Sequence, residues 1–179
     1  LGITHKRQKL FMTINPVLPS AKLTEDLQEA RDYYSLTTEK AKSEFLITPV
    51  LREVRRTHLH NVGGSGLNLE LPVAGLSGFC DFILSQKPDT IELTVPICCL
   101  DEAKNRILEE SFAQCAAEMY AAILLNESTP NATAFMYGCV TNGYDWSFLR
   151  RKNQRLQIDT ERCFLNKVKE ILGAFQIII

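Results

Sequence analysis

The sequence predicts an α/β protein in which a central mixed β-sheet lies between layers of helices. Three observations predict it. Helical and strand patterns follow one another as helix, strands, helix, strands, helix. The segment RILEESFAQCAAEMYAAILLN (106–126) is long, rich in Ala, Leu and Glu, and keeps a helical apolar period. ATAFMYGCVTNG (132–143) and YDWSFLRR (144–151) meet at Asn142-Gly143, a dipeptide that favours tight hairpin turns. At 179 residues, with no repeat, low-complexity segment or linker, the chain is expected to form a single domain over 1–179. Residues 1–37 form an N-terminal extension with its helix, and 38–175 form the core.

Residues 1–20 read as irregular or partly extended, with Pro16 and Pro19 as breakers. EDLQEARDYY reads as a helix, with Thr24 as its cap. TEKAKSEFLITPVLREVRRTH (38–58) reads as a second helix, with apolar residues at 46, 47, 50, 51 and 54 on one stripe. Pro49 should kink or restart it. NVGGSG (61–66) reads as a turn, LNLELPV (67–73) as a strand and AGLSG (74–78) as a second turn. GFCDFILS (78–85) reads as one strand, and IELTVPICCLDEA (91–103) as another with Pro96 at an edge or break. RLQID reads as a short strand, and TERCFLNKVKEILGAF (160–175) as the closing helix capped by Asp159 or Thr160. The terminal FQIII suits packing on the core or on a partner.

Hydrophobic residues make up 45% of the chain and charged residues 23%, as in ordinary water-soluble domains. The net charge is -1 and the pI about 6.4, so any nucleic-acid contact must rest on local clusters of cations. Six cysteines sit mostly in apolar runs, with no CxxC pair, and read as free buried thiols of a cytoplasmic protein. The N-terminus lacks the apolar core of a signal peptide, and no apolar run is long enough to span a membrane. The two Asn-x-Ser/Thr triplets, at Asn126 and Asn131, therefore read as chance.

Chemistry concentrates in GFCDFILSQKPDTIELTVPICCLDEAKNR (78–106). Asp81 stands in one apolar run, and Glu102 and Lys104 close the next. A charge on a buried strand is costly unless something pairs with it. If the two runs are neighbouring strands, Glu102 and Lys104 share a face, and Asp81 can meet them there. Two carboxylates suit Mg²⁺ or Mn²⁺, which take hard oxygen ligands and leave positions for substrate phosphate. A lysine beside them can orient a water and offset charge on a phosphoryl group. Each residue also has a structural alternative: Asp81 as a turn cap, Glu102 and Lys104 as a solvated strand end or a helix start. Tyr120 and Trp146 read as packing residues, and His58 and His60 as charges near a helix C-terminus.

This pattern resembles the PD-(D/E)XK phosphodiesterase superfamily, which includes many DNA nucleases. The matching residues are Glu44 in KSEFLITPVL, Asp81 in GFCDF, Glu102 and Lys104 in DEAK, and Gln114 in QCAAEMY. VTNGYDWSFL (140–149) is similar to a G-x-x-W-x-F hairpin of the same group. The nearest likeness is to the nuclease domain at the start of type I restriction motor subunits, and to related stand-alone bacterial proteins. It covers about residues 38–175. The PD dipeptide is absent, since Cys80 precedes Asp81, and Asp101 stands where an apolar residue is usual.

The resemblance implies a restriction-endonuclease-like fold and a metal-dependent DNA endonuclease. Asp81, Glu102 and the Ala103 carbonyl would hold Mg²⁺ or Mn²⁺, with Glu44 adding directly or through water. Lys104 would position the attacking water, and Gln114 would orient Lys104 or a phosphate. For DNA the cationic candidates are Arg52, Arg55 and Arg56 on the second helix, and Arg150, Arg151, Lys152 and Arg155 after the hairpin. A non-catalytic module of the same fold, binding nucleic acid, a protein or a second copy of itself, is the other expectation.

Overall fold

The computed structural model describes residues 4–57, 68–70, 77–79, 81–85, 96–102, 107–127, 135–152 and 154–179. A six-stranded sheet runs in the order β1-β8-β7-β6-β5-β4. Its strands are β1 (Thr4–Arg7), β4 (Phe82–Ser85), β5 (Pro96–Glu102), β6 (Met136–Thr141), β7 (Asp145–Lys152) and β8 (Arg155–Phe164). β5 runs parallel to β6, and β1 parallel to β8; the other neighbours are antiparallel. A second sheet pairs β2 (Asn68–Glu70) with β3 (Ser77–Phe79). The sheet is therefore mixed, and helices cover both faces.

On one face lie α1 (Ala21–Tyr33), α3 (Thr48–Thr57) and α5 (Val168–Ile178). Their Leu23, Leu27, Val50, Val54, Ile171 and Phe175 pack on Cys98, Cys139, Trp146 and Phe148. Phe175 meets Trp146 and Phe148 edge-on at 6.0 and 5.4 Å, the arrangement that the ring quadrupole favours. The other face carries α4 (Phe112–Glu127), whose Cys115, Ala116, Met119 and Ala122 cover Met136, Val140, Leu149, Leu156 and Ile158. Gly138 sets how closely α4 approaches: a Cβ there would lie 2.6 Å from Met119 Sδ and 2.8 Å from Cys115 Sγ.

Several elements differ from the sequence expectations. The N-terminal segment contributes β1, a short edge strand with every residue exposed. α1 begins before Thr24, and its cap is Ser20, whose side chain accepts from the Leu23 N–H. The second helix, by contrast, is divided as Pro49 leads one to expect, into α2 (Glu39–Lys42), a π-helical turn at Ser43–Ile47, and α3. Proline is the physical reason. Pro49 has no N–H for the Phe45 carbonyl, and the Thr48 N–H reaches back five residues to Ser43.

GFCDFILS is not one strand. β3 pairs with β2, β4 joins the main sheet, and Asp81 forms the bend before β4. β5 begins on Pro96, where the missing N–H is tolerated. A 3₁₀ turn at Leu108–Ser111 precedes α4, which starts later than the periodicity predicts. β8 is ten residues long and runs to Phe164, because its register against β7 shifts between Ser147 and Leu149 and a bulge absorbs the extra residues. Asp159 is thus inside β8 and caps no helix. Its Oδ1 accepts from the Leu10 and Glu161 N–H groups, and burial pushes its carboxyl pKa up. The closing helix starts only at Val168, and Ile178 of the terminal run is buried in the core. His58, His60, the turn at 61–66, residues 74–76 of the turn expected at 74–78 and both sequon Ser/Thr residues lie outside the described residues, while Ser77 and Gly78 of that expected turn belong to β3.

Candidate functional site

The bend at Asp81 is the local feature from which the site is built. β4 pairs antiparallel with β5 from Phe82 opposite Leu100, so β4 begins where β5 approaches its end at Glu102. Asp81, half-buried, therefore sits at the same end of the same two strands as the Glu102 backbone. The ladder count sets 81 level with 101. As the bend residue, Asp81 stands outside the ladder, and the alternation does not fix its direction. Ala103 and Lys104 lie outside the described residues.

β6 extends this end of the sheet. Glu102 is in register with Thr141, and beyond Thr141 comes the turn Asn142–Gly143–Tyr144. Asn142 Oδ1 accepts from the Tyr144 and Asp145 N–H groups at 2.9 and 2.8 Å, and Gly143 takes φ +89°, which a side chain resists. Lys42 and Leu46 close over this turn: a Cβ on Gly143 would meet Leu46 Cδ1 at 3.2 Å and Lys42 Cβ at 3.3 Å. Lys42 Nζ stands 5.9 Å from the Tyr144 ring centre. Lys42 and Tyr144 thus border the Glu102 end, and the sequence pattern singled out neither. The only signal was the Asn142-Gly143 turn, which says nothing of what packs on it.

Glu44 lies two residues from both Lys42 and Leu46, roughly half a turn round the helix. It is exposed and lines a groove of about 280 Å³ with Lys22, Asp26, Arg52 and the stacked Tyr34 and Phe45. Its turn of helix comes to the Glu102 end, but its side chain opens towards α1, and Asp81 is not part of that groove. Gln114, expected to orient Lys104 or a phosphate, donates from Nε2 to Glu118 Oε1 at 3.1 Å along α4. Glu118 is only 2% exposed, and its Oε2 has no hydrogen-bond partner among the described residues. A buried, half-satisfied carboxylate one helical turn after Gln114 was not picked out from the sequence, where it reads as an ordinary helix Glu.

The cationic candidates separate. Arg52, Arg55 and Arg56 are exposed on α3, with Arg56 Nη1 3.5 Å from Glu53 Oε2. Arg151 is 1% exposed. It points under α4, donates from Nη1 to the Ala116 carbonyl at 3.1 Å, and sits 4.6 Å over the Tyr120 ring. It is therefore withdrawn from the DNA-facing set; burial lowers its guanidinium pKa. Arg150, Lys152 and Arg155 stay at the surface, but at the other end of the sheet. Their rows pass through Tyr137 and Phe135, four and six residues before Thr141, or roughly 13 and 20 Å along the strand direction.

Among the described residues no three His, Cys, Asp or Glu side chains gather as a metal-binding group. Among the described residues Cys98, Cys115, Cys139 and Cys163 are buried, and burial pushes the Cys163 thiol up to about 12, which does not favour thiolate chemistry there. No described helix is long and apolar enough to cross a membrane. No protein-family model matches the chain, and no curated protein matches it.

Proposed function

We propose that the chain is a Mg²⁺-dependent phosphodiesterase acting on DNA, with a restriction-endonuclease-like arrangement of its mixed sheet. One observation carries this reading. The apolar run breaks at Asp81, which leaves a half-buried carboxylate at the start of β4, beside the strand that ends on Glu102. Two carboxylates suffice for Mg²⁺, because water and substrate phosphate complete its shell. Asp81 and Glu102, with the Ala103 carbonyl, would hold Mg²⁺ or Mn²⁺. When bound, the ion would polarise the phosphoryl oxygen and ease deprotonation of water. Lys104, two residues after Glu102, would hold the attacking water in line with the phosphorus and offset the charge on its oxygens. Water attack forms a P–O bond as the bond to the leaving sugar oxygen breaks, and that oxygen takes up a proton. Gln114 would act through Glu118, and Glu44 is left to its groove with Arg52.

Lys104→Ala tests the mechanism in a plasmid-nicking assay with Mg²⁺. Loss of one charge-stabilising group of this kind lowers turnover by about 10²-fold or more. Undiminished cleavage by Lys104→Ala would show that the mechanism is wrong. A second reading, a binding module of the same fold without turnover, is favoured by the surface cations Arg150, Lys152 and Arg155 at the other end of the sheet, which can bind phosphates without a metal. It predicts salt-sensitive retention of DNA, or a stable oligomer, and no cleavage with any divalent ion.

A further inference from the structure

We propose that the sheet face at the β7–β8 hairpin end is a nucleic-acid backbone-binding track, distinct from the Asp81–Glu102 end. The register builds it. Lys6, Gln157, Arg150 and Tyr137 are successive partners across β1, β8, β7 and β6. Thr4, Arg155 and Lys152 form the adjoining row, with Phe135 beside Lys152. Cross-strand partners share a face, so these two rows present Lys6, Arg150, Lys152 and Arg155 together, with no carboxylate at any position of either row. The alternate positions Leu149, Leu156 and Met136 belong to the core under α4, so the basic rows occupy the opposite face.

Three further observations point to a polyanion. Among the described residues none of these four cations forms an ion pair, whereas Arg7 on β1, Lys9 just after it and Arg162 on β8 are all paired. Lys6, Lys152 and Arg155 are exposed, and Arg150 is half-buried. The heads of Arg150 and Lys152 both stand 5.0 Å from the Phe135 ring centre, and Arg150 Nε donates to Gln157 Oε1 at 2.8 Å. Two of the four charges are thus held in place before a ligand arrives, which lowers the entropy lost on binding. Neighbouring strands about 4.8 Å apart, and same-face residues about 6.7 Å apart along a strand, give a grid on the scale of successive phosphates. A phosphodiester backbone fits this regular array of cations. The inference takes from the functional reading only its ligand class, and it does not need catalysis.

The test measures fluorescence anisotropy of a labelled 20-nucleotide single strand and of the matching duplex, in EDTA, across a salt series. The single strand is expected to bind with log K falling against log[salt] at a slope of about −3, from four neutralised phosphates. Lys152→Ala/Arg155→Ala should weaken binding about tenfold and make the slope shallower by about 1.4. Arg31→Ala/Lys169→Ala, an equal charge change at exposed positions of α1 and α5, should do neither. Phe135→Leu should weaken binding a few-fold at unchanged slope. Equal losses from both double variants, or wild-type binding by Lys152→Ala/Arg155→Ala with its melting temperature unchanged, would overturn the track. So would binding to phosphatidylserine vesicles but to neither oligonucleotide. Because EDTA removes the metal, the assay reads binding with no contribution from cleavage. Failure of cleavage therefore leaves the track standing, and failure of the track leaves cleavage standing.

Discussion

Arg150 and Arg151 are chain neighbours with opposite surroundings, and the pleat of β7 separates them. Successive strand residues face opposite sides. Arg150 goes to the face opposite α4 with Lys152, and Arg151 goes under α4 to the Ala116 carbonyl and the Tyr120 ring. A sequence cluster of cations therefore overcounts a binding surface whenever it lies on a strand. Arg151→Ala removes a buried charge-assisted hydrogen bond and ring contact, and should cost about 2–3 kcal/mol of stability. Arg155→Ala, at the exposed hairpin end, should stay within about 0.5 kcal/mol. Denaturant unfolding of the two variants checks this; equal costs would contradict the assignment of faces.

Helix ends and strand breaks decide where the elements differ from what periodicity suggests. α1 starts at Ser20 because that residue is fixed from two sides. Its side chain accepts from the Leu23 N–H, while its N–H and hydroxyl donate to the two oxygens of buried Glu53 on α3, at 2.7 and 2.8 Å. A carboxylate 33 residues away cannot be read from local pattern. Glu53→Ala should destabilise by about 2 kcal/mol, or a melting shift of about 4–8 °C. Glu53→Gln, which keeps one acceptor oxygen, should lose less in the same thermal melt. Other elements were legible where chemistry is local: the divided helix from Pro49, the strand start from Pro96, the hairpin from Asn142-Gly143. β1 was not legible because four exposed residues carry no apolar alternation. Nor was the length of β8, because a bulge conceals its continuity. Asp81 was legible as a charge in an apolar run, but its place at a break between two strands of different sheets was not.

Across the whole molecule, a net charge of -1 conceals an uneven distribution. The Asp81–Glu102 end has Lys42 and Tyr144 nearby, and the β7–β8 end, roughly 13–20 Å along the strands, carries cations without an ion pair among the described residues. Composition alone argues against a nucleic-acid partner, and only the sheet register shows that four cations share one face. The most direct measurement is cleavage of supercoiled, linear and single-stranded DNA with Mg²⁺ or Mn²⁺, by the wild type and Glu102→Ala, with an EDTA control. The account predicts metal-dependent cleavage that EDTA stops and that Glu102→Ala lowers at least about 10²-fold. Cleavage undiminished in Glu102→Ala, or no cleavage of any substrate with either ion, would contradict it.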